Sequence, residues 1–405
     1  MQEAPDRKKM YKIPWSMFDN QGGWVEVTDR CNLHCDGCYR NRIEGDRSFE
    51  TICAEIIECQ AKTHCDVMVV AGGEPLIYPQ IVEVIRFIKS RKMKPLILSN
   101  GELLTRTLAK ELKSAGLSRI HFHVDSRQQR EGWEGKDENE LNVLRGHFAD
   151  ILHELKKIQC GFHVTVAQEN IEQIPSIIEW VRANRQKVQH LSLIAFRAVK
   201  PQVGNGFYAG DKHISAKSMF STYADNEAVE ITTKDMFDNL RSHFPEYFPC
   251  AYINGTALPE TNKYLFFVNI GSVKKSFGFL GAKSMELSQV FYHLINGKYL
   301  SYADNPAIGK KIFFLSLFDR QVRLAFFNFF KIFLKDPSAL FQKTYIQSLI
   351  LQQPIEFVKG EKNACDHCIN PMVFGNKLIN PCQLDEYRLF GEPVVAIKQN
   401  LISSK

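Results

Sequence analysis

The chain has 405 residues, 44% of them hydrophobic, which is enough to bury more than one core. Its formal net charge of +6 is mild, and without an RNA-binding signature it argues against a nucleic-acid partner. The first twelve residues are charged and lack an apolar stretch, so we expect no signal peptide. Cysteines grouped in metal-type motifs favour a reducing cytoplasm over a disulfide framework.

Three cysteines follow the first predicted strand, residues 24–27, with the spacing C-x3-C-x2-C. They are Cys31, Cys35 and Cys38. An iron–sulfur cube has four irons and normally takes four thiolates, so three cysteines leave one iron open to a substrate or cofactor. The alternative is zinc, for which His34 would be a fourth ligand.

The next strand is an apolar run that ends in Gly72-Gly73-Glu74-Pro75, 34 residues after Cys38. Such a run is typical of a buried parallel strand, and glycines at its end allow close approach to the backbone. The helical pattern of residues 49–64 supplies the crossover between the first two strands.

Four more strands are predicted, at residues 95–98, 119–124, 161–166 and 189–194. Amphipathic stretches alternate with them, which implies a parallel sheet with right-handed crossovers and chemistry at the carboxyl ends of the strands. We therefore predict an α/β fold, a partial (β/α)6 TIM-like barrel. It occupies residues 23–200, after an N-terminal segment (1–22) and before a mainly helical, cysteine-containing extension (201–405).

Polar side chains at these strand ends are candidate catalytic residues. If Asp125 points into the barrel, strand alternation points His121 and His123 inward too. We expect His121 to be a hydrogen-bonded interior group, whereas His123 is a candidate for substrate binding or proton movement. Arg197 is a candidate for binding a carboxylate or phosphate, with an ordinary solvated arginine as the alternative.

Four cysteines mark the extension: Cys250, the pair Cys365 and Cys368, and Cys382. Each lies beside a proline or a turn signal, and together they predict a four-ligand site. Its occupant would be an auxiliary [4Fe–4S] cluster, a zinc or a lone iron. The alternative is a set of unconnected thiols.

A phenylalanine-rich segment, residues 312–334, separates these cysteines. Its charges, Asp319, Arg320, Arg323 and Lys331, make it unconvincing as a membrane span. Two interpretations remain. It forms core helices, or it lines an apolar cavity or lies against a bilayer surface.

The cysteine loop and the Gly-Gly-Glu-Pro run together resemble the radical S-adenosylmethionine (SAM) superfamily. The resemblance implies a [4Fe–4S] cluster whose open iron chelates SAM, an electron donor such as flavodoxin or ferredoxin, and release of a 5′-deoxyadenosyl radical. The cofactor-binding residues it implies are Tyr39, Gly72, Gly73, Glu74, Ser99, Asn100, Asp125 and Ser126. The extension resembles the auxiliary-cluster regions called SPASM or Twitch, with fewer cysteines than the SPASM pattern.

We therefore predict an enzyme that takes a hydrogen atom from an unactivated C–H bond of a bulky, apolar small molecule resembling a lipid or isoprenoid. This substrate class, and peripheral membrane contact, follow from the phenylalanine-rich segment. One alternative is a peptide-modifying maturase with an auxiliary cluster. An alternative of another class is a zinc-stabilised binding protein without catalysis.

Overall fold

Six parallel strands, joined by helices, form the centre of the molecule. The computed structural model describes residues 5–36, 38, 40, 45–196, 205–215, 231–303, 305–358 and 361–398. In order across the sheet, the central strands are β2 (Gly22–Thr28), β3 (Val67–Gly72), β4 (Lys94–Ser99), β5 (Arg119–His123), β6 (Gln159–Val166) and β7 (Val188–Ala195). The helices between them are α1 (Phe49–Thr63), α2 (Ile81–Ser90), α3 (Arg106–Ala115), α4 (Asn142–Leu155) and α5 (Ile174–Ala183). The predicted partial barrel is confirmed.

The strands are apolar on both faces because both faces are covered. In β3, Met68 and Val70 point out into the main core beneath the helices, whereas Val67 and Val69 point into the barrel and contact Leu96 of β4. Alternation therefore places every second residue of each strand in the barrel interior.

The extension continues this sheet with strands that the sequence analysis did not predict. β13 (Tyr345–Gln352) pairs in parallel with β7, and it is followed outward by β11 (Asn262–Gly271), β10 (Ala251–Asn254) and β1 (Tyr11–Lys12). At the opposite edge, β16 (Met372–Phe374) pairs in parallel with β2, and β17 (Lys377–Ile379) follows it. The sheet is therefore continuous across the predicted boundary at residue 200.

The remaining described elements lie around this sheet. β12 (Ser276–Phe279) pairs with β11. Two small sheets contain β8 (Asn205–Ala209), β9 (Lys212–Ile214) and β18 (Val395–Lys398), and β14 (Glu356–Val358) with β15 (Glu361–Asn363). The helices of the extension are α6 (Thr233–His243), α7 (Ala282–Asn296), α8 (Arg320–Lys335) and α9 (Leu384–Phe390).

Residues of the extension close the barrel at the amino ends of its strands, an end that we call the floor. The Tyr302 ring lies 3.5 Å from the guanidinium of Arg119, the first residue of β5. The Tyr292 hydroxyl bonds Asp66, just before β3, at 3.0 Å, and Lys94, at the start of β4, pairs with the same carboxylate at 2.8 Å. The floor is thus filled by aromatic rings and paired charges, and access to the interior is from the opposite end.

The phenylalanine-rich segment forms a 3-10 helix (Gly309–Leu317) and α8, which pack near the floor on β12. Val322, Ala325 and Phe329 are buried against the extension, whereas Phe327 and Phe330 are about half exposed. One face of the segment is therefore core, and the other face is surface. Within the described residues, no helix is long and apolar enough to cross a membrane.

This division of α8 predicts opposite effects for two neighbouring aromatic residues. Phe329 packs between Phe277 and Phe313, with ring centroids 5.3 and 5.2 Å away, so Phe329→Ala leaves a cavity that costs about 3–5 kcal/mol. Phe327→Ala removes an exposed ring and should change stability by no more than about 0.5 kcal/mol. Thermal melting of the two variants checks this, and equal losses would contradict the assignment of the faces.

Candidate functional site

The three N-terminal cysteines lie in a loop that crosses the carboxyl ends of the barrel strands, the end that we call the mouth. We name residues 29–38 the cysteine loop. The Asn100 side chain donates to Asn32 Oδ1 at 2.8 Å, and the Asp36 amide donates to Arg127 O at 3.0 Å. The segments that follow β4 and β5 thus hold the loop over the barrel interior.

Gly72 and Gly73 are where β3 meets the backbone of the cysteine loop. The amide of Gly73 donates to Thr28 O and that of Glu74 to Arg30 O, both at 2.8 Å. A Cβ atom on Gly72 would overlap Thr28 O, and one on Gly73 would overlap Arg30 O. Gly72 also has φ +141°, a conformation that favours glycine. Close contact between β3 and the cysteine loop therefore requires glycine at both positions.

Two predicted cofactor-binding residues, Glu74 and Ser99, form hydrogen bonds between neighbouring strand ends at the mouth. Glu74 accepts hydrogen bonds from the Leu76 amide, the Ser99 hydroxyl at 2.8 Å and the Asn100 amide at 2.6 Å. Burial raises the pKa of Glu74, and these hydrogen bonds oppose that rise. In this structure both side chains connect the end of β3 to the end of β4.

Asp125 and His123 form a hydrogen-bonded pair at the end of β5. Asp125 Oδ2 lies 2.7 Å from His123 Nε2 and accepts the Thr165 amide at 2.9 Å. Burial alone would raise the pKa of Asp125, but His123 and the bonds from Thr165 outweigh it and hold the pKa at about 2. The pair joins β5 to β6, and the His123 side chain is still 39% exposed. Ser126 instead donates its hydroxyl to Glu138 at 2.9 Å.

The pKa of the Cys35 thiol shows how the three cysteines of the loop affect one another. Burial raises the pKa of its thiol to about 12, the charges of Asp125, Cys38 and Cys31 add to this, and Arg130 opposes it. The three sulfurs thus lie close together in a partly buried site, where the charges of Cys31 and Cys38 affect the pKa of Cys35. Burial thus favours the protonated thiols, whereas a bound metal would favour the thiolates because it stabilises their negative charge.

The long loop after β5 holds residues that the sequence analysis missed. A cavity of about 260 Å³ beside Asp125 is lined in part by Arg130, Trp133 and Leu141. Eighteen residues separate β5 from α4, longer than the usual loop of a βα unit, and such length is a functional signal. Two predicted residues, Tyr39 and Arg197, lie outside the described residues.

Three of the four cysteines of the extension come together, and we name Cys365, Cys368 and Cys382 the second cysteine group. Burial raises the pKa of Cys365 to about 12, with the charge of Cys382 adding and that of Lys263 opposing. Burial, followed by the charges of all three cysteines, also raises the pKa of Tyr264. The group therefore surrounds Lys263 and Tyr264, at the start of β11.

Cys250, the fourth predicted ligand, has a different set of contacts. Its thiol is buried beside Trp15 and Phe266 and donates to Phe266 O at 3.3 Å. Cys365 forms a β-bridge with Gly255, which lies five residues after Cys250 in the chain. Burial raises the pKa of Cys250 to about 12, and the charge that adds to this rise is that of Asp319 rather than that of another cysteine. A C-x2-C pair and a proline-flanked cysteine cannot reveal this difference in contacts.

Deeper in the barrel, His121, His163 and His190 lie close together. Among the described residues, they are the only three potential metal ligands whose donor atoms lie within 4.8 Å of one another. However, the rings of His121 and His190 stack within 9° of parallel, so their lone pairs do not converge, and Arg119 lies 3.5 Å from His121 Nε2. Burial lowers the pKa of all three and that of His163 to about 3. They form a neutral interior layer, as expected for His121.

A buried ionic network connects the two ends of the chain at the mouth. Arg40, just after the cysteine loop, pairs with Glu26 at 2.7 Å, Asp29 at 2.9 Å and Asp385 at 2.5 Å. Arg388 also pairs with Asp29, at 2.7 Å. Asp385 and Arg388 belong to α9, which directly follows the second cysteine group. The position of the cysteine loop is therefore tied to the C-terminal part of the extension.

Comparison with known proteins identifies the central part of the chain. Residues 25–181 match the family model of the Radical SAM superfamily. These residues are therefore a radical SAM domain, the domain of a superfamily of enzymes that use a [4Fe–4S] cluster with SAM. The resemblance stated from the cysteine loop and the Gly-Gly-Glu-Pro run is confirmed.

Three relatives match parts of the chain. The first is the tungsten-containing aldehyde ferredoxin oxidoreductase cofactor-modifying protein of Pyrococcus furiosus, with 25% identity over 39% of this chain and 47% of that protein. The second is the Fe-coproporphyrin III synthase of Methanosarcina barkeri, with 28% identity over 44% of this chain and 42% of that protein. The third is the AdoMet-dependent heme synthase of Methanosarcina barkeri, with 26% identity over 38% of this chain and 45% of that protein. The chain spans less than half the length of these curated relatives. Among solved structures, SuiB of Streptococcus suis bound to S-adenosylmethionine matches with a TM-score of 0.37 and 16% identity, over 46% of this chain and 42% of that chain.

The contact between Gly73 and the cysteine loop can be tested with a single methyl group. Gly73→Ala places a Cβ against Arg30 O, so the loop must move and the three sulfurs with it. We expect the iron bound per chain after anaerobic reconstitution to fall toward half of the wild-type value, as the cluster at the cysteine loop is lost, and a lower melting midpoint. Gly146→Ala is the control, because in α4 its new Cβ meets only Trp180 at 4.0 Å, and alanine favours a helix. Normal iron content in Gly73→Ala would show that the contact does not position the loop.

Proposed function

We propose that this chain is a radical SAM enzyme whose cluster binds to Cys31, Cys35 and Cys38. The observation that carries the proposal is the position of these thiols over the barrel mouth, with the loop backbone held against Gly72 and Gly73. When bound, the cluster and SAM supply a 5′-deoxyadenosyl radical able to take a hydrogen atom from an unactivated C–H bond. The electron would come from a donor of the flavodoxin or ferredoxin type.

The residues around the loop would bind and orient the cofactor. Because the amides of Gly73 and Glu74 already donate to the loop, carbonyl oxygens at this strand end are the groups suited to a SAM ammonium. Asp125 stays ionised at neutral pH and holds His123 at the edge of the interior. Trp133 lines the adjacent cavity and offers an aromatic face to an adenine ring.

We also propose a second [4Fe–4S] cluster at Cys365, Cys368 and Cys382. Support for a cluster comes from the resemblance of the extension to auxiliary-cluster regions and from the closeness of the three thiols, whose charges all act on the buried Tyr264. Lys263, whose side chain is fully buried, supplies a positive charge beside Cys365 and Cys382.

We propose that the substrate is a bulky molecule with a largely apolar skeleton, of which a lipid or isoprenoid is one kind. The phenylalanine-rich segment does not support this directly, because it lies near the floor rather than at the mouth. The support is the mixed lining of the mouth cavity, which includes Trp133 and Leu141, and the naming of one relative for Fe-coproporphyrin III. A peptide substrate remains the alternative, and labelled peptide in the assay described next would detect it.

Loss of a thiol from the cysteine loop should abolish SAM cleavage. Cys31→Ala, Cys35→Ala or Cys38→Ala leaves two thiolates, too few to hold a cluster with one open iron. We expect 5′-deoxyadenosine production with dithionite to fall at least a hundred-fold. Cys53→Ala is the control, because Cys53 lies in α1 outside both cysteine groups. Production at the wild-type level in any of the three variants would overturn the proposal.

The second site makes a separate prediction about iron content. The reconstituted protein should contain about eight irons per chain, from two four-iron cubes. Cys382→Ala should lower this to about four, whereas Cys250→Ala should leave it unchanged because the Cys250 thiol is buried beside Trp15 and Phe266 and donates to Phe266 O. A loss of iron in Cys250→Ala would restore the four-cysteine site. About four irons plus one zinc in the wild type would favour structural zinc.

A further inference from the structure

An exposed apolar surface covers the outer side of the phenylalanine-rich segment. We name it the apolar face, and it consists of Phe314, Leu317, Phe318, Phe327, Phe330 and Leu334. Each of these side chains is between 45% and 75% exposed, although the helix has already buried its other side. A helix that only completed a core would present polar residues here. The face therefore has a use other than stabilising the fold.

The charges around the apolar face are mostly of one sign, although the exposed Asp336 directly follows α8. Lys311, Arg320, Arg323, Lys331 and Lys335 are all exposed beside it. From residue 309 to 335 the acidic residue is Asp319, which is buried and caps α8 by accepting the amides of Gln321 and Val322. No surface acid within this segment neutralises the five cations.

On the helical surface, cations and aromatic rings share one side. At 100° per residue, Arg320, Arg323 and Lys331 fall within the same half of α8 as Phe327, Phe330 and Leu334. This differs from an amphipathic helix on a protein core, in which charge and apolar surface lie on opposite sides. Long basic side chains can extend outward from such a face while the rings beside them enter an apolar phase.

We infer that the apolar face binds the surface of an anionic lipid bilayer. The rings would enter the boundary between headgroups and acyl chains, and the five cations would reach the lipid phosphates. The helix would lie in the plane of the surface, since α8 has 16 residues and is too short and too charged to span. This inference is independent of the proposed substrate, because the face lies near the barrel floor.

A second copy of the chain fits this surface less well. A symmetric pair would place the same patch on both partners, so the five cations of each copy would face one another with Asp336 as a single acid beside them. Interfaces between proteins are also depleted in lysine at their centres. The charge pattern therefore favours phosphate-rich lipid over a self-association surface.

The test is co-sedimentation of the full chain with vesicles under anaerobic conditions. We expect binding to vesicles of phosphatidylcholine and phosphatidylglycerol (about 3:1) at least about ten-fold tighter than to phosphatidylcholine alone, and weakened at high salt. The variant with Phe327→Ser, Phe330→Ser and Leu334→Ser should lose at least about ten-fold in affinity. Absence of binding to anionic vesicles, or equal and salt-insensitive binding to both kinds, would overturn the inference.

Two further variants keep the test independent of folding. Arg320→Gln, Arg323→Gln and Lys331→Gln together change exposed charges alone and should also lose at least about ten-fold on anionic vesicles. Val143→Ser is the control, because Val143 is a 71% exposed apolar residue on α4 and should bind as the wild type does. Normal binding by the charge variant, or a wild-type dimer that the Phe327, Phe330 and Leu334 variant separates, would overturn the inference.

Discussion

The contact between the end of β3 and the backbone of residues 28–30 is the constraint on which the mouth depends. The hydrogen bonds from the Gly73 and Glu74 amides fix the height of the cysteine loop above the strands. Glu74 also accepts hydrogen bonds from the Ser99 hydroxyl and the Asn100 amide, and the Asn100 side chain in turn donates to Asn32 of the loop. The thiols are thus positioned by backbone contacts and a short hydrogen-bonded circuit.

The extension is structurally part of the barrel rather than an addition to it. β13 pairs with β7 and β16 pairs with β2, so the extension lies on both edges of the central strands. Arg40 connects the cysteine loop to α9 in a setting with little exposure to water, where removal of one partner would leave a buried charge. The two cysteine groups therefore share one scaffold, and a disturbance at α9 would reach the cysteine loop.

The central barrel and the cysteine loop could be predicted because their signals are local. Strand periodicity, the spacing of Cys31, Cys35 and Cys38, and the glycines after β3 all lie within short windows. The strands β11 and β13 were missed because they pair with distant segments, as in the pairs of Tyr264 with Gln352 and of Ser348 with His190. The contacts of Cys250 could not be predicted for the same reason. Glu74 and Ser126 are polar residues at strand ends, but only the folded chain shows that Glu74 accepts from Ser99 and that Ser126 donates to Glu138.

The closed floor has a consequence for the order of events during turnover. In the described part of the chain, Tyr302, Arg119 and the Tyr292–Asp66–Lys94 group fill the end of the barrel opposite the cysteine loop. A molecule that enters the interior must then leave by the mouth through which it came. Entry of one ligand and departure of another compete for the same opening, so the last molecule to bind covers those beneath it. The residence time of an inner ligand therefore cannot be shorter than that of the ligand that covers it.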